Sequence, residues 1–122
     1  MYKSITPEDY RQAEIQKMFF RELGRMDRSA LHSILKSKEG RWFLIRLLDA
    51  TGITANSFTG NSTTFYNEGK RQIGLEILAR IQDLGIDAVK LKQKAELEYI
   101  ENQLRARELA VENFDNQEGS KE

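Results

Sequence analysis

An all-α bundle of about five helices with a long C-terminal helix is the fold the sequence predicts, and three observations carry it. Of the 122 residues, 39% are hydrophobic and 31% charged, too polar for a buried α/β sheet and suited to helices with one apolar stripe each. The chain holds a single Pro. Apolar residues recur at three and four positions between capping residues and Gly stops. A mean hydropathy of -0.61 agrees with polar faces that stay in water. The length suits one compact domain with a tail: residues 1–86 as the bundle, 87–114 as a long amphipathic helix and 115–122 as a frayed end.

The first helix starts at Thr6-Pro7-Glu8-Asp9. Thr6 caps the free amides, Pro7 occupies a position that needs no amide partner, and two carboxylates face the positive helix end. Tyr10, Ala13, Ile15, Met18, Phe19 and Leu23 form its apolar face, so Phe19 and Phe20 are expected in the core, with Gly24 as the stop. Asp27 or Ser29 then caps a short second helix carrying Ala30, Leu31, Ile34 and Leu35. Ser37 caps a third, whose Trp42, Phe43, Ile45, Leu47 and Leu48 make it the centre of the core, and Thr51-Gly52 ends it.

Residues 53–62 read as an ordered polar loop anchored by Ile53 and Phe58. Asn61 or Ser62 caps the fourth helix, which runs to about Leu84 and stops at Gly85. Gly69 and Gly74 stand inside it at a cost of roughly 1 kcal/mol each relative to Ala, which implies close approach of another helix. Being five residues apart, they lie about 140° apart around the axis and open two adjacent faces. Asp87 caps the last helix, expected to pass Glu112, with Leu97, Ile100, Leu104, Val111 and Phe114 as an interhelix seam broken at Arg107. That stripe is long enough to dock on the chain's own core or on a neighbouring copy.

Composition removes several functions. With no Cys, thiolate zinc, iron–sulfur and Cys-nucleophile chemistry are excluded, and with His32 as the one His, so is any scheme needing two imidazoles in the chain. Gly69-Lys70-Arg71-Gln72-Ile73-Gly74 has the Gly spacing of a phosphate loop, but Leu75-Glu76 stands where Lys and Ser or Thr belong. Glu96, Glu98 and Glu101 offer carboxylates to a hard cation, yet at helical spacing they fall on a solvated face. No nucleophile elbow is present and His32 has no second ligand nearby. The expectation is therefore a non-enzymatic chain with no catalytic residue, no cofactor and no metal. No apolar run is long enough for a membrane segment and no secretory signal opens the chain, so it is expected to be soluble and intracellular when made.

Nineteen basic residues balance nineteen acidic ones, but unevenly. Arg21 to Arg46 holds seven basic against three acidic residues, and Glu96 to Glu122 eight acidic against three basic. This polarity favours head-to-tail or ring-like association between copies, or a basic face turned to DNA. Lys36, Lys38, Arg41 and Arg46 around Trp42, joined by Lys70 and Arg71, are the positions suited to partner or phosphate contact. Ordinary helix exteriors carry such residues too, and Trp42 is expected in the core.

Glu39-Gly40-Arg41 opening a Leu-rich helix, Gly52-Ile53, Phe58, and Phe65-x-x-x-Gly69-x-Arg71-x-x-Gly74 with Ile77-Leu78 together resemble a small helical domain encoded among the head and tail assembly genes of short-tailed phages. The resemblance covers Ser37 to Ile81. It implies a virion or assembly role without catalysis: in the head interior, at the portal or among proteins ejected with DNA, made in the host cytoplasm and then carried in the virion. The implied partners are portal, capsid or ejection proteins and further copies of the chain, with nonspecific DNA contact a further property. Gly40, Arg41, Gly69, Arg71 and Gly74 would be packing residues of the motif, with the two arginines reaching Glu68, Glu39 or a helix C-terminal carbonyl. A nucleic-acid-binding regulator made early in infection is the alternative from another class, and a module that inhibits a host enzyme is a third.

Overall fold

The computed structural model describes residues 4–53 and 63–120, and every regular element in them is a helix: α1 (Pro7–Lys36), α2 (Lys38–Ala50), α3 (Thr63–Asp83) and α4 (Ile86–Ser120). Four helices stand where about five were expected, because the first two are one. A Gly ends a helix by taking a left-handed backbone, and among the described residues only Gly52 (φ 69°) and Gly85 (φ 104°) do so. Gly24 stays helical. Arg25 reaches back across it to Glu22 with Nε 2.9 Å from the carboxylate, and no Pro follows to reinforce a stop.

The other boundaries follow local chemistry. Thr6 Oγ1 accepts the Asp9 amide at 3.1 Å while the Thr6 amide donates to the Asp9 carboxylate at 3.4 Å, a reciprocal cap that starts α1. Ser37 takes an extended backbone, which breaks α1 from α2, and its Oγ accepts the Gly40 amide at 2.9 Å. Asp87 lies in the first turn of α4, one residue inside its start at Ile86. α4 continues through Ser120, past Phe114 where fraying was expected to begin. The loop expected over 53–62, with its Phe58 anchor and its Asn61 or Ser62 cap, lies outside the described residues apart from Ile53.

The core is small. Leu35 of α1, Leu44, Ile45 and Leu48 of α2, Ile81 of α3, and Ala88 and Ala95 of α4 are buried together, with Leu31, Ile77, Leu78 and Leu91 packed around them. α2 is its centre through Leu44, Ile45 and Leu48, whereas Phe43 and Leu47, also expected there, are 65% and 41% exposed because they fall on the side of the helix turned away from the other three. The N-terminal two-thirds of α1 lies outside: Phe19 and Phe20 are 54% and 58% exposed rather than core. Periodicity marks an apolar face but does not say what covers it, and no other part of the described chain covers this one. Trp42, also expected in the core, is 39% exposed and leans on Tyr99 of α4 with ring centres 5.3 Å apart.

Two polar contacts orient the long helices. Asp27 of α1 meets Arg80 of α3 at 3.4 Å, shortly before the chain turns at Gly85 into α4. Eight residues later in α1, the Leu35 carbonyl shares the Arg41 guanidinium with Glu98 of α4. α1 and α4 therefore cross the core in broadly the same direction. Their free portions, before Asp27 and after Glu98, leave it at opposite ends.

Candidate functional site

The α1–α2 corner is built by Ser37 to Arg41. A Cβ on Gly40 would collide with the Ile34 carbonyl oxygen, so Gly at this position lets α2 fold back close to the end of α1. The next residue then points inward. Arg41, only 6% exposed, donates from Nη1 to the Leu35 carbonyl at 3.0 Å, and from Nε and Nη2 to the two carboxylate oxygens of Glu98 at 2.6 and 3.3 Å. One guanidinium thus closes the C-terminus of α1, its own helix and α4 into a single joint, by the forked geometry that only Arg offers.

The predicted reach of Arg41 to a helix C-terminal carbonyl is present, but its acidic partner is Glu98 and not Glu39 or Glu68. Glu98, read from spacing as part of a solvated face, has a side chain only 18% exposed. Hydrogen bonding to Arg41 holds its carboxyl below the usual carboxylate range; partial burial opposes this, while the charges of Arg41, Lys94 and Lys38 add to it. Part of the basic middle and part of the acidic last helix therefore neutralise each other within one chain. Tyr99, the next residue, donates to Asp49 at 3.2 Å and accepts from Arg46 at 3.5 Å, so α2 and α4 are joined along two turns. Nothing in the local sequence around Tyr99 announces that role.

The two glycines of α3 part company. A Cβ on Gly74 would overlap Thr51 and Ile53 at the end of α2, so this Gly permits the α2–α3 approach. Gly69 has open space around it, and the close approach expected there does not occur among the described residues. Arg71 is half-buried on α3, without a cross-bundle ion pair among the described residues. Gly69 to Gly74 forms continuous helix and not a loop.

Of the residues suited to partner or phosphate contact, Lys36, Lys38 and Arg46 are exposed around the α1–α2 corner, whereas Lys70 is half-buried on α3 with its ammonium 4.8 Å from the centre of the Tyr66 ring. Arg41 is sequestered and leaves that set. His32 is half-buried on α1. Among the described residues no group of three His, Asp or Glu is arranged to hold a metal ion, and no helix is long and apolar enough to cross a membrane.

The seam residues Leu97, Ile100, Leu104 and Val111 are all more than half exposed and are not docked on the chain's own core. On α1 the exposed stripe runs down into a groove of about 450 Å³ between α1, α2 and α3. Leu31, Ile34, Leu44, Leu47 and Ile77 floor it, and Asp27 with Arg80 crosses its rim.

These features define a small all-α protein: a four-helix core locked by an arginine joint, from which two amphipathic helices extend with their apolar faces uncovered. A sequence model of the Bbp19-like phage protein family matches residues 31–93, more than half of the chain, and the chain belongs to that family. The match takes in the end of α1, all of α2 and α3 and the start of α4, including the whole stretch on which the resemblance rests. It makes the protein phage-encoded; short-tailed phages and head or tail assembly are a finer reading. No curated protein matches the chain. No solved structure matches it either.

Proposed function

We propose that this protein is a non-enzymatic structural or accessory component of a tailed-phage particle, placed in the head interior, at the portal or among the proteins ejected with DNA. The observation that carries the reading is the uncovered apolar surface of α1 and α4. Phe19, Phe20, Met18 and Met26 on one helix, and Leu97, Leu104 and Phe114 on the other, each stand at least half exposed. Contiguous apolar surface of this kind marks a place where other protein sits. A phage-encoded family supplies the setting, with portal, capsid or ejection proteins and other copies of the chain as the partners. Assembly would begin in the host cytoplasm and end in the virion.

The exposure of Lys36, Lys38 and Arg46 favours a second reading, a DNA-binding regulator. Two experiments separate them. Quantitative mass spectrometry of purified particles finds the chain at a fixed copy number if it is structural and absent if it is a regulator. Duplex mobility shift gives a regulator a log–log salt slope of about −0.9 per phosphate contact, and the structural protein at most weak, sequence-independent binding.

A further inference from the structure

The uncovered stripes of α1 and α4 have comparable lengths, and the helix segments around them carry opposite net charge. On α1, Ile15, Phe19, Leu23 and Met26 step by four, four and three, a stripe of about 16 Å; on α4, Leu97, Ile100, Leu104 and Val111 cover about 21 Å. All eight are 40% or more exposed. Residues 17–28 carry four basic and two acidic side chains, and residues 101–115 carry four acidic and two basic. Within these spans Arg21 and Arg28, and Glu101, Glu108 and Glu112, form no ion pair among the described residues.

We infer that the α4 stripe of one copy packs on the α1 stripe of another. Within a single chain the two cannot meet, because they leave the core at opposite ends. Between copies the pairing buries both apolar faces at once and sets net positive against net negative. Pairing α4 with α4, or α1 with α1, would set like charge against like charge along the seam. The surfaces joined are unlike, so the contact closes reciprocally in an antiparallel dimer or repeats from copy to copy end to end. The inference rests on the particle-protein reading only in expecting several copies side by side.

The test uses two double variants of the full chain, Phe19→Gln with Leu23→Gln on α1 and Leu104→Gln with Val111→Gln on α4. All four positions lie outside the buried core, so each variant keeps wild-type helicity by circular dichroism. In sedimentation velocity the wild type is expected to run as a species heavier than 14.1 kDa. Each variant alone is expected to associate at least about tenfold more weakly. Their equimolar mixture is expected to recover a 1:1 complex, because it restores one intact α1 and one intact α4 stripe. Wild-type association by either variant alone, a mixture no better than its parts, or a wild type that stays monomeric overturns the inference. A monomer still found in particles at fixed copy number overturns this contact and leaves the particle role; an associating protein absent from particles does the reverse.

Discussion

Arg41 and Glu98 lie 57 residues apart in the chain and meet through two hydrogen bonds, the shorter 2.6 Å, at the point where α1 ends and α4 passes. Glu98→Ala leaves the Arg41 guanidinium buried against the Leu35 carbonyl with its charge uncompensated, a loss of about 3 kcal/mol in urea unfolding. Arg41→Lys is not a conservative change here, because an ammonium cannot fork to both carboxylate oxygens and still reach the carbonyl. Both variants are expected to melt clearly below wild type; an unchanged midpoint for Glu98→Ala would contradict the joint.

The same pair sets a pH dependence. Glu98 has its folded-state pKa lowered by the Arg41 hydrogen bonds, so the unfolded chain binds more protons in that range and stability rises with pH there. The contribution is complete above the ordinary carboxylate pKa and disappears as pH falls through the lowered value. Unfolding followed across the acidic range should show this loss in the wild type and a shallower dependence in Glu98→Gln.

The glycines of α3 make a paired prediction. Gly74→Leu forces Thr51 and Ile53 away from α3 and is expected to unfold the domain, and even Gly74→Ala should destabilise it. Gly69→Ala meets nothing and gains about 0.5–1 kcal/mol of helix stability. Thermal melts by circular dichroism check both signs.

These outcomes also mark how much was legible in the sequence. Thr6, Ser37, Gly52 and Gly85 act on the backbone within a few residues of themselves, so the corresponding helix ends could be read locally. Gly24 could not, because a Gly stops a helix only when its backbone turns left-handed, and the residue type does not reveal that. Gly69 and Gly74 are chemically identical, and only the position of Thr51 tells them apart. The stripe through Phe19 was visible as a stripe, but whether the chain or a partner covers it is a tertiary fact. Arg41 was singled out by its motif, whereas Glu98 sat among several glutamates of one acidic helix with nothing local to distinguish it.

Salt should act on association more than on folding. The contacts proposed between copies lie at exposed charges, which are screened once the Debye length falls to about 3 Å near 1 M salt. Light scattering is expected to show weaker self-association at high than at low salt. Arg41 and Glu98, being mostly buried, are screened less, so the thermal midpoint should move little over the same range.

α1 and α4 carry the surfaces by which neighbouring proteins in the particle, further copies of this chain among them, hold this one. Quantitative mass spectrometry of phage particles assembled with the wild type, and with the folded Phe19→Gln, Leu23→Gln, Leu104→Gln, Val111→Gln variant, tests that claim most directly. The wild type is expected at a fixed copy number per particle and the variant at a small fraction of it. A variant incorporated to the same level, or a wild type absent from particles, would contradict the claim.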